Sequence, residues 1–386
     1  MTGPPPGGDR RAVVPVVRVA GIVLLLFVFL LGVNGLGEGF KLLGSDLLDS
    51  FFRATGNPFV GLILGVLATT VMQSSSVTTA MVVALVAAPE NPLPLANAVP
   101  MIMGANIGTT VTSTIVSLGH VGRLEEFRRA FPVAVCHDFF NYLAVLVLLP
   151  LELMTGYLQR SAVALGSLVE GVGGITYESP IKGAISAGFA PIEIVSRSLF
   201  QVQAGQAAFL VVVSGLLIFS ALYLLVKVMR AAAHGRVEVM VTDLLGSSAL
   251  LSMLLGVVVT VMVQSSSITT SLLVPLAAAG VLRLEQAFPV TLGANVGTTV
   301  TAFLAALAVS GPNAAAGLEI ALVHLLFNLS GILLVYPVAG IRQVPLRLAL
   351  ALTRAALRSR KLVVFWIAGL FYGIPTIVLL ISRWLN

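Results

Sequence analysis

Residues 73–79 read Gln-Ser-Ser-Ser-Val-Thr-Thr, and residues 264–270 read Gln-Ser-Ser-Ser-Ile-Thr-Thr. Each block interrupts an apolar stretch, 57–88 in one case and 248–279 in the other. In the first stretch the flanks Phe59–Met72 and Val77–Ala88 are only about half as long as a helix needs, at about 1.5 Å rise per residue, to cross a hydrocarbon core of about 30 Å. Such halves predict a re-entrant helical hairpin, entering and leaving on one side, with the polar block at its tip.

Other blocks repeat in the same order. GANIGTTVT at 104–112 matches GANVGTTVT at 293–301, His137-x-x-Phe140-Asn141 matches His324-x-x-Phe327-Asn328, and Pro150 falls where Pro337 does. The chain therefore contains one unit twice. Around the hairpins, full-length apolar spans are expected at about 15–36, 93–118 and 126–153, then at 204–229, 285–310, 314–339 and 362–384. Each copy holds three crossings and one hairpin that does not cross. Three is odd, so the copies enter from opposite sides, as inverted repeats do.

Composition sets this architecture in a bilayer. Of 386 residues, 58 % are hydrophobic and 10 % charged, against about 25 % charged in a soluble domain. The net charge of +6 lies in short loops beside apolar spans, which indicates orientation and no nucleic-acid partner. With the N-terminus cytoplasmic, Arg123, Arg128, Arg129, Lys227, Arg230, Arg236 and the Arg342–Lys361 cluster all fall inside. The C-terminus is then external. A single cysteine, Cys136, leaves no internal disulfide.

The expected fold is all-α and integral to the plasma membrane: two inverted repeats of three spans and a hairpin, plus a C-terminal span. Its parts are a disordered lead (1–12), a first repeat (13–153), an external linker (154–203), a second repeat (204–340) and a C-terminal part (341–386). The linker carries one amphipathic piece at 157–169, and the C-terminal part an arginine-rich amphipathic helix.

Two hairpin tips meeting near the midplane would aim helix N-termini, with free N–H groups and positive dipole ends, at one point. Hydroxyls of Ser74, Ser75, Ser76, Thr78 and Thr79, and of Ser265, Ser266, Ser267, Thr269 and Thr270, add donors. That combination holds an oxyanion such as phosphate without lysine or arginine. Carbonyl oxygens of Gln73, Gln264, Asn106 and Asn295 suit a hard monovalent cation. The Gly104–Gly108 and Gly293–Gly297 segments are expected to unwind and expose backbone carbonyls beside Thr109, Thr110, Thr298 and Thr299. The competing reading of these glycines is close helix packing. His137, Asp138, Asn141, His324 and Asn328 are candidates for supporting the site from behind. Asp138 is an acid inside a span, and its repeat counterpart is Leu325. Triple serines in symmetric positions suit binding better than nucleophilic catalysis, so an enzyme is not expected.

These blocks, with EFRRAF at 126–131, HDFFNYLAVLVLLPLE at 137–152 and HLLFNLSGILLVYPV at 324–338, resemble the type II sodium–phosphate cotransporters. The resemblance runs from about 57 to 153 and from 204 to 384. It implies a sodium-coupled symporter of inorganic phosphate working by alternating access, with both substrates between the two QSSS tips. Sodium ions then serve as coupling ions, and no other cofactor is implied. A carrier of sulfate or a dicarboxylate on the same scaffold is the alternative. Animal members carry a large disulfide-bonded loop where this chain has its short linker.

Overall fold

The computed structural model describes residues 9–42, 55–171, 182–233, 248–309 and 311–385. The described chain is all-helical. The sequence also predicts an interfacial amphipathic stretch at 38–53 and a polar stretch around 233–243; most of each lies outside the described residues.

Helix α1 (Asp9–Leu42) already begins inside the expected lead. The first hairpin is α2 (Pro58–Met72) and α3 (Ser75–Val86). Asn57 starts it: its Oδ1 accepts from Phe59 N at 3.0 Å, and Pro58, which has no N–H to satisfy, occupies the first turn. The next span comprises α4 (Leu95–Thr109) and α5 (Val111–Ser117), and α6 (Leu124–Thr155) follows. Then come α7 (Tyr157–Gly171), α8 (Lys182–Leu199) and α9 (Gln203–Ala233). The second hairpin is α10 (Ala249–Val263) and α11 (Ser266–Ala278), capped at its start by Ser248, which accepts from Leu251 N at 3.2 Å. The chain continues through α12 (Leu284–Ala308), α13 (Ala314–Val335) and α14 (Ala339–Arg358). It ends in α15 (Lys361–Ile367), a π-turn (Ala368–Gly373) and α16 (Ile374–Leu385).

Among the described residues, six helical stretches are long and apolar enough to cross a membrane: Leu95–His120, Leu124–Thr155, Gln203–Leu224, Leu284–Ala308, Ala314–Val335 and Lys361–Ser382. They coincide with six of the seven expected spans. The seventh lies within α1, whose apolar part is Ala20–Leu36. The hairpin limbs, at 12–15 residues each, are too short to cross.

Packing follows the repeat. The first limb of each hairpin lies on its own copy's Gly-Ala-Asn span, α2 on α4 and α10 on α12. The second limb reaches across: α3 packs on α12 and α13, and α11 on α5 and α6. The helices that open the two copies, α1 and α9, pack together, and Gly32, Gly35 and Gly39 let their backbones close up. Ala144 and Gly331, equivalent positions in the two copies, touch: a Cβ on Gly331 would stand 3.2 Å from that of Ala144. The Phe140 ring meets the same Cβ position, and Phe131, Phe140, Phe288 and Phe327 are buried.

Two expectations are corrected. The Gly-Ala-Asn segments do not unwind. Helix α4 runs through Gly104 and Gly108 to Thr109, and α12 runs unbroken past Gly293 and Gly297. The glycines serve close packing instead. A Cβ on Gly104 would fall on the Leu62 carbonyl oxygen, and one on Gly65 on that of Met101. In the second copy Gly293 meets the Met253 carbonyl, and Gly256 that of Val290. The second correction concerns the linker, which is mostly helix. Besides α7 it contains α8, which packs on α1 and α9.

Candidate functional site

The two QSSS blocks form matching corners. Gln73 and Gln264 end the first limbs in the left-handed region, at φ 53° and 54°. A glutamine held there is strained, and such residues cluster at functional sites. Its side chain helps hold the turn. Nε2 of Gln73 donates to the Thr70 carbonyl at 2.6 Å, and Nε2 of Gln264 to the Val261 carbonyl at 2.7 Å, satisfying an orphan carbonyl of the helix end. The opposite end of each amide accepts from a threonine on the neighbouring span: Thr112 to Gln73 at 3.0 Å, Thr301 to Gln264 at 3.3 Å. Ser74 and Ser265 then start the second limbs as N-caps, accepting from Val77 N at 3.4 Å and Ile268 N at 3.3 Å.

Both corners face one cavity of about 220 Å³. Its polar lining is Gln73, Ser74, Thr112, Gln264, Ser265 and Ser267. Phe219, Leu222 and Tyr223 of α9 form an apolar wall, with the Phe219 and Tyr223 rings stacked at 6.4 Å. No charged side chain among the described residues lines it. Two helix N-termini, α3 and α11, thus open on the same space with their first-turn N–H groups and positive dipole ends.

The other expected residues stand at different distances from this space. Ser75, Ser76 and Ser266 are buried in the first turns behind the caps. Ser76 Oγ bonds across the copies to Thr301 Oγ1 at 3.4 Å. Thr78, Thr269 and Thr270 bond back to carbonyls of Ser74, Ser265 and Ser266, and Thr79 Oγ1 is buried without a partner. Thr109, Thr110, Thr298 and Thr299 are buried, and each bonds a carbonyl of its own helix. Asn106 Nδ2 does the same to Ile102.

A polar chain joins the copies behind the cavity. His137 Nε2 lies 2.7 Å from Asn295 Oδ1, Asn295 Nδ2 donates to Asn141 Oδ1 at 2.9 Å, and Asn141 Nδ2 donates to the Asn106 carbonyl at 2.7 Å. In the second copy Asn328 Nδ2 bonds the His324 carbonyl at 3.1 Å, while both ring nitrogens of His324 and Asn328 Oδ1 are buried without partners. Asp138 is fully buried. Its Oδ2 accepts from Trp366 Nε1 at 2.9 Å, and its Oδ1 has no partner.

Sequence reading passed over Thr112 and Thr301, although both sit at the same place in the repeated block and identity across the copies marks them. The α9 wall carries no such mark, because Phe219 and Tyr223 become site residues only through packing.

The site's residues fall within a wider likeness. A family model described as Na+/Pi-cotransporter matches residues 28–176 and 198–377. The chain is 33 % identical to sodium-dependent phosphate transport protein 2A of Ovis aries, over 96 % of this chain and 68 % of that protein. It is 32 % identical to protein 2B of Homo sapiens, over 94 % of this chain and 64 % of that protein. The chain spans about two thirds of these relatives' length. No solved structure matches it. On a match that covers most of its length, this chain belongs to the Na+/Pi-cotransporter family.

Proposed function

We propose that the protein is a sodium-coupled inorganic phosphate symporter working by alternating access, with phosphate held between the two QSSS corners near the membrane midplane. One observation carries the reading: two helix N-termini with serine caps open on one cavity that no charged side chain lines. Phosphate there meets N–H groups and hydroxyls from both copies. It binds as an anion without a fixed cation that would trap it. Sodium supplies the compensating charge. Gln73 and Gln264 Oε1 and the hydroxyls of Ser74, Ser265 and Ser267, which line the cavity, are its oxygen ligands on this reading.

The crosswise packing supports alternating access. Each hairpin's second limb rests on the other copy, so a shift of one copy against the other carries both tips together. In the bilayer the short limbs are re-entrant, the copies are oppositely inserted, the N-terminus is cytoplasmic and the C-terminus external.

Uptake of labelled phosphate into proteoliposomes, with an inward sodium gradient and with potassium in its place, tests the proposal. Sodium-driven accumulation is expected, with unlabelled phosphate competing and sulfate and succinate not competing. Equal uptake in potassium removes the coupling; competition by sulfate or succinate moves the substrate. Ser74→Leu and Ser265→Leu cost about 1 kcal/mol each as lost caps, so the protein should remain folded while uptake disappears. Wild-type uptake in both variants would separate the corners from transport.

A further inference from the structure

A second cavity lies on the far side of the first hairpin. It measures about 400 Å³ and is walled by Ile63 of α2, Ile107 of α4, Tyr142 and Leu146 of α6, Leu348 of α14 and Ile374 of α16. Apart from the Tyr142 hydroxyl, buried without a partner, these walls are apolar. The crevice lies along the C-terminal helix, whose α16 packs on α2. Only 11 % of its most apolar stretch is buried, and its π-turn, Ala368–Gly373, puts Leu370 at the crevice edge. A hydrocarbon chain seated between these walls gains dispersion contacts with each of them.

What fills it is indicated by charge. From Ile320 to Asn386 the chain has seven lysines and arginines and no aspartate or glutamate. On α14, Pro345, Ala349 and Ala356 form the buried edge, and α14 packs on α6. Arg347, Arg354 and Arg358 recur at helical spacing on one exposed face, and Arg360 and Lys361 follow. Leu348, which lines the crevice, is the residue after Arg347. At about 100° per residue, Leu348 stands roughly a quarter-turn from the Arg347, Arg354 and Arg358 face, a separation that long guanidinium side chains can span. Crevice and cations thus neighbour each other on one amphipathic helix, an arrangement that suits an anionic amphiphile.

We infer that this is a binding site for an anionic phospholipid, with one acyl chain in the crevice and the headgroup phosphate on the α14 arginines. Guanidinium groups pair bidentately with phosphate oxygens, and a like-signed face without carboxylates discriminates against zwitterionic headgroups. The chain wedges between the C-terminal helix and the first hairpin and so braces α2 from behind. The inference concerns binding and stands apart from the transport reading.

The test reads lipid, not uptake. Protein purified in detergent is exposed to phosphatidylglycerol and phosphatidylcholine in equal amounts, and the retained phospholipid is identified by native mass spectrometry. Wild type is expected to retain phosphatidylglycerol preferentially and to melt at a higher temperature when it is added, with no rise from phosphatidylcholine. Arg347→Gln/Arg354→Gln/Arg358→Gln should lose roughly tenfold or more of that preference. Leu348→Trp, which fills the crevice, should retain less lipid while leaving the preference of what remains unchanged. Equal retention and equal melting shifts with the two lipids in the wild type overturn the site, whether or not any variant folds. Undiminished retention by Leu348→Trp overturns the seat of the chain.

Discussion

His137 and His324 hold the same place in the two copies and have opposite surroundings. His137 is tied through Asn295 and Asn141 to the Asn106 carbonyl, four residues drawn from three helices and both copies. The mirror chain would join His324 to Asn106 and Asn106 to Asn328. It is not made: Asn106 and Asn328 turn to carbonyls of their own helices, and His324 has neither ring nitrogen satisfied. Sequence symmetry is thus preserved in the corners and the glycine contacts and lost in this polar chain. The two copies therefore share a scaffold and differ in the hydrogen bonds of this chain. On the proposed cycle the open chain closes when the molecule faces the other side, and the closed one opens.

The largest effects should fall where the copies agree. Gly104→Ala and Gly293→Ala each drive a Cβ into a backbone carbonyl that cannot move without shifting the helix. Both are expected to cost more than about 4 kcal/mol and to abolish extraction of folded protein. Size-exclusion profiles of the two variants check this; a normal profile for only one of them would break the scaffold symmetry.

Next come the asparagines, where the copies disagree. Asn295→Ala strands His137 Nε2 and Asn141 Oδ1 at a cost of about 1–3 kcal/mol for each orphaned group. Asn106→Ala removes only a bond to its own helix, with an expected cost of about 1 kcal/mol. Thermal melting in detergent should rank them in that order. Equal melting temperatures would mean the polar chain is no more than incidental contact.

The smallest effect on stability, and the sharpest on function, belongs to His324, with His137 as its contrast. His324→Leu replaces a buried side chain that has no partners, so melting should be unchanged or slightly raised. His137→Leu should lower stability by about 1–3 kcal/mol, and melting with it. If the chains exchange during the cycle, both variants lose phosphate uptake despite their opposite effects on melting. Normal uptake by His324→Leu would confine the polar chain to one state and remove it from the mechanism.

Much of this was legible in the residues themselves. Apolar run lengths, the paired Gln-Ser-Ser-Ser blocks and the low charge content determine an all-helical chain with short interrupted limbs, because helix rise and hydrocarbon thickness leave few other solutions. The repeat also marked which residues would stand at the hairpin tips. Tertiary structure alone decided the rest. Whether Gly104 unwinds a helix or admits a neighbour depends on what approaches it, and here the Leu62 carbonyl does. Whether Asn106 or Asn295 finds a histidine depends on which way two like copies lean, since one sequence pattern is compatible with both arrangements. Phe219 and Tyr223 joined the cavity for the same reason: a wall is made by the packing of distant segments, and no local pattern encodes it.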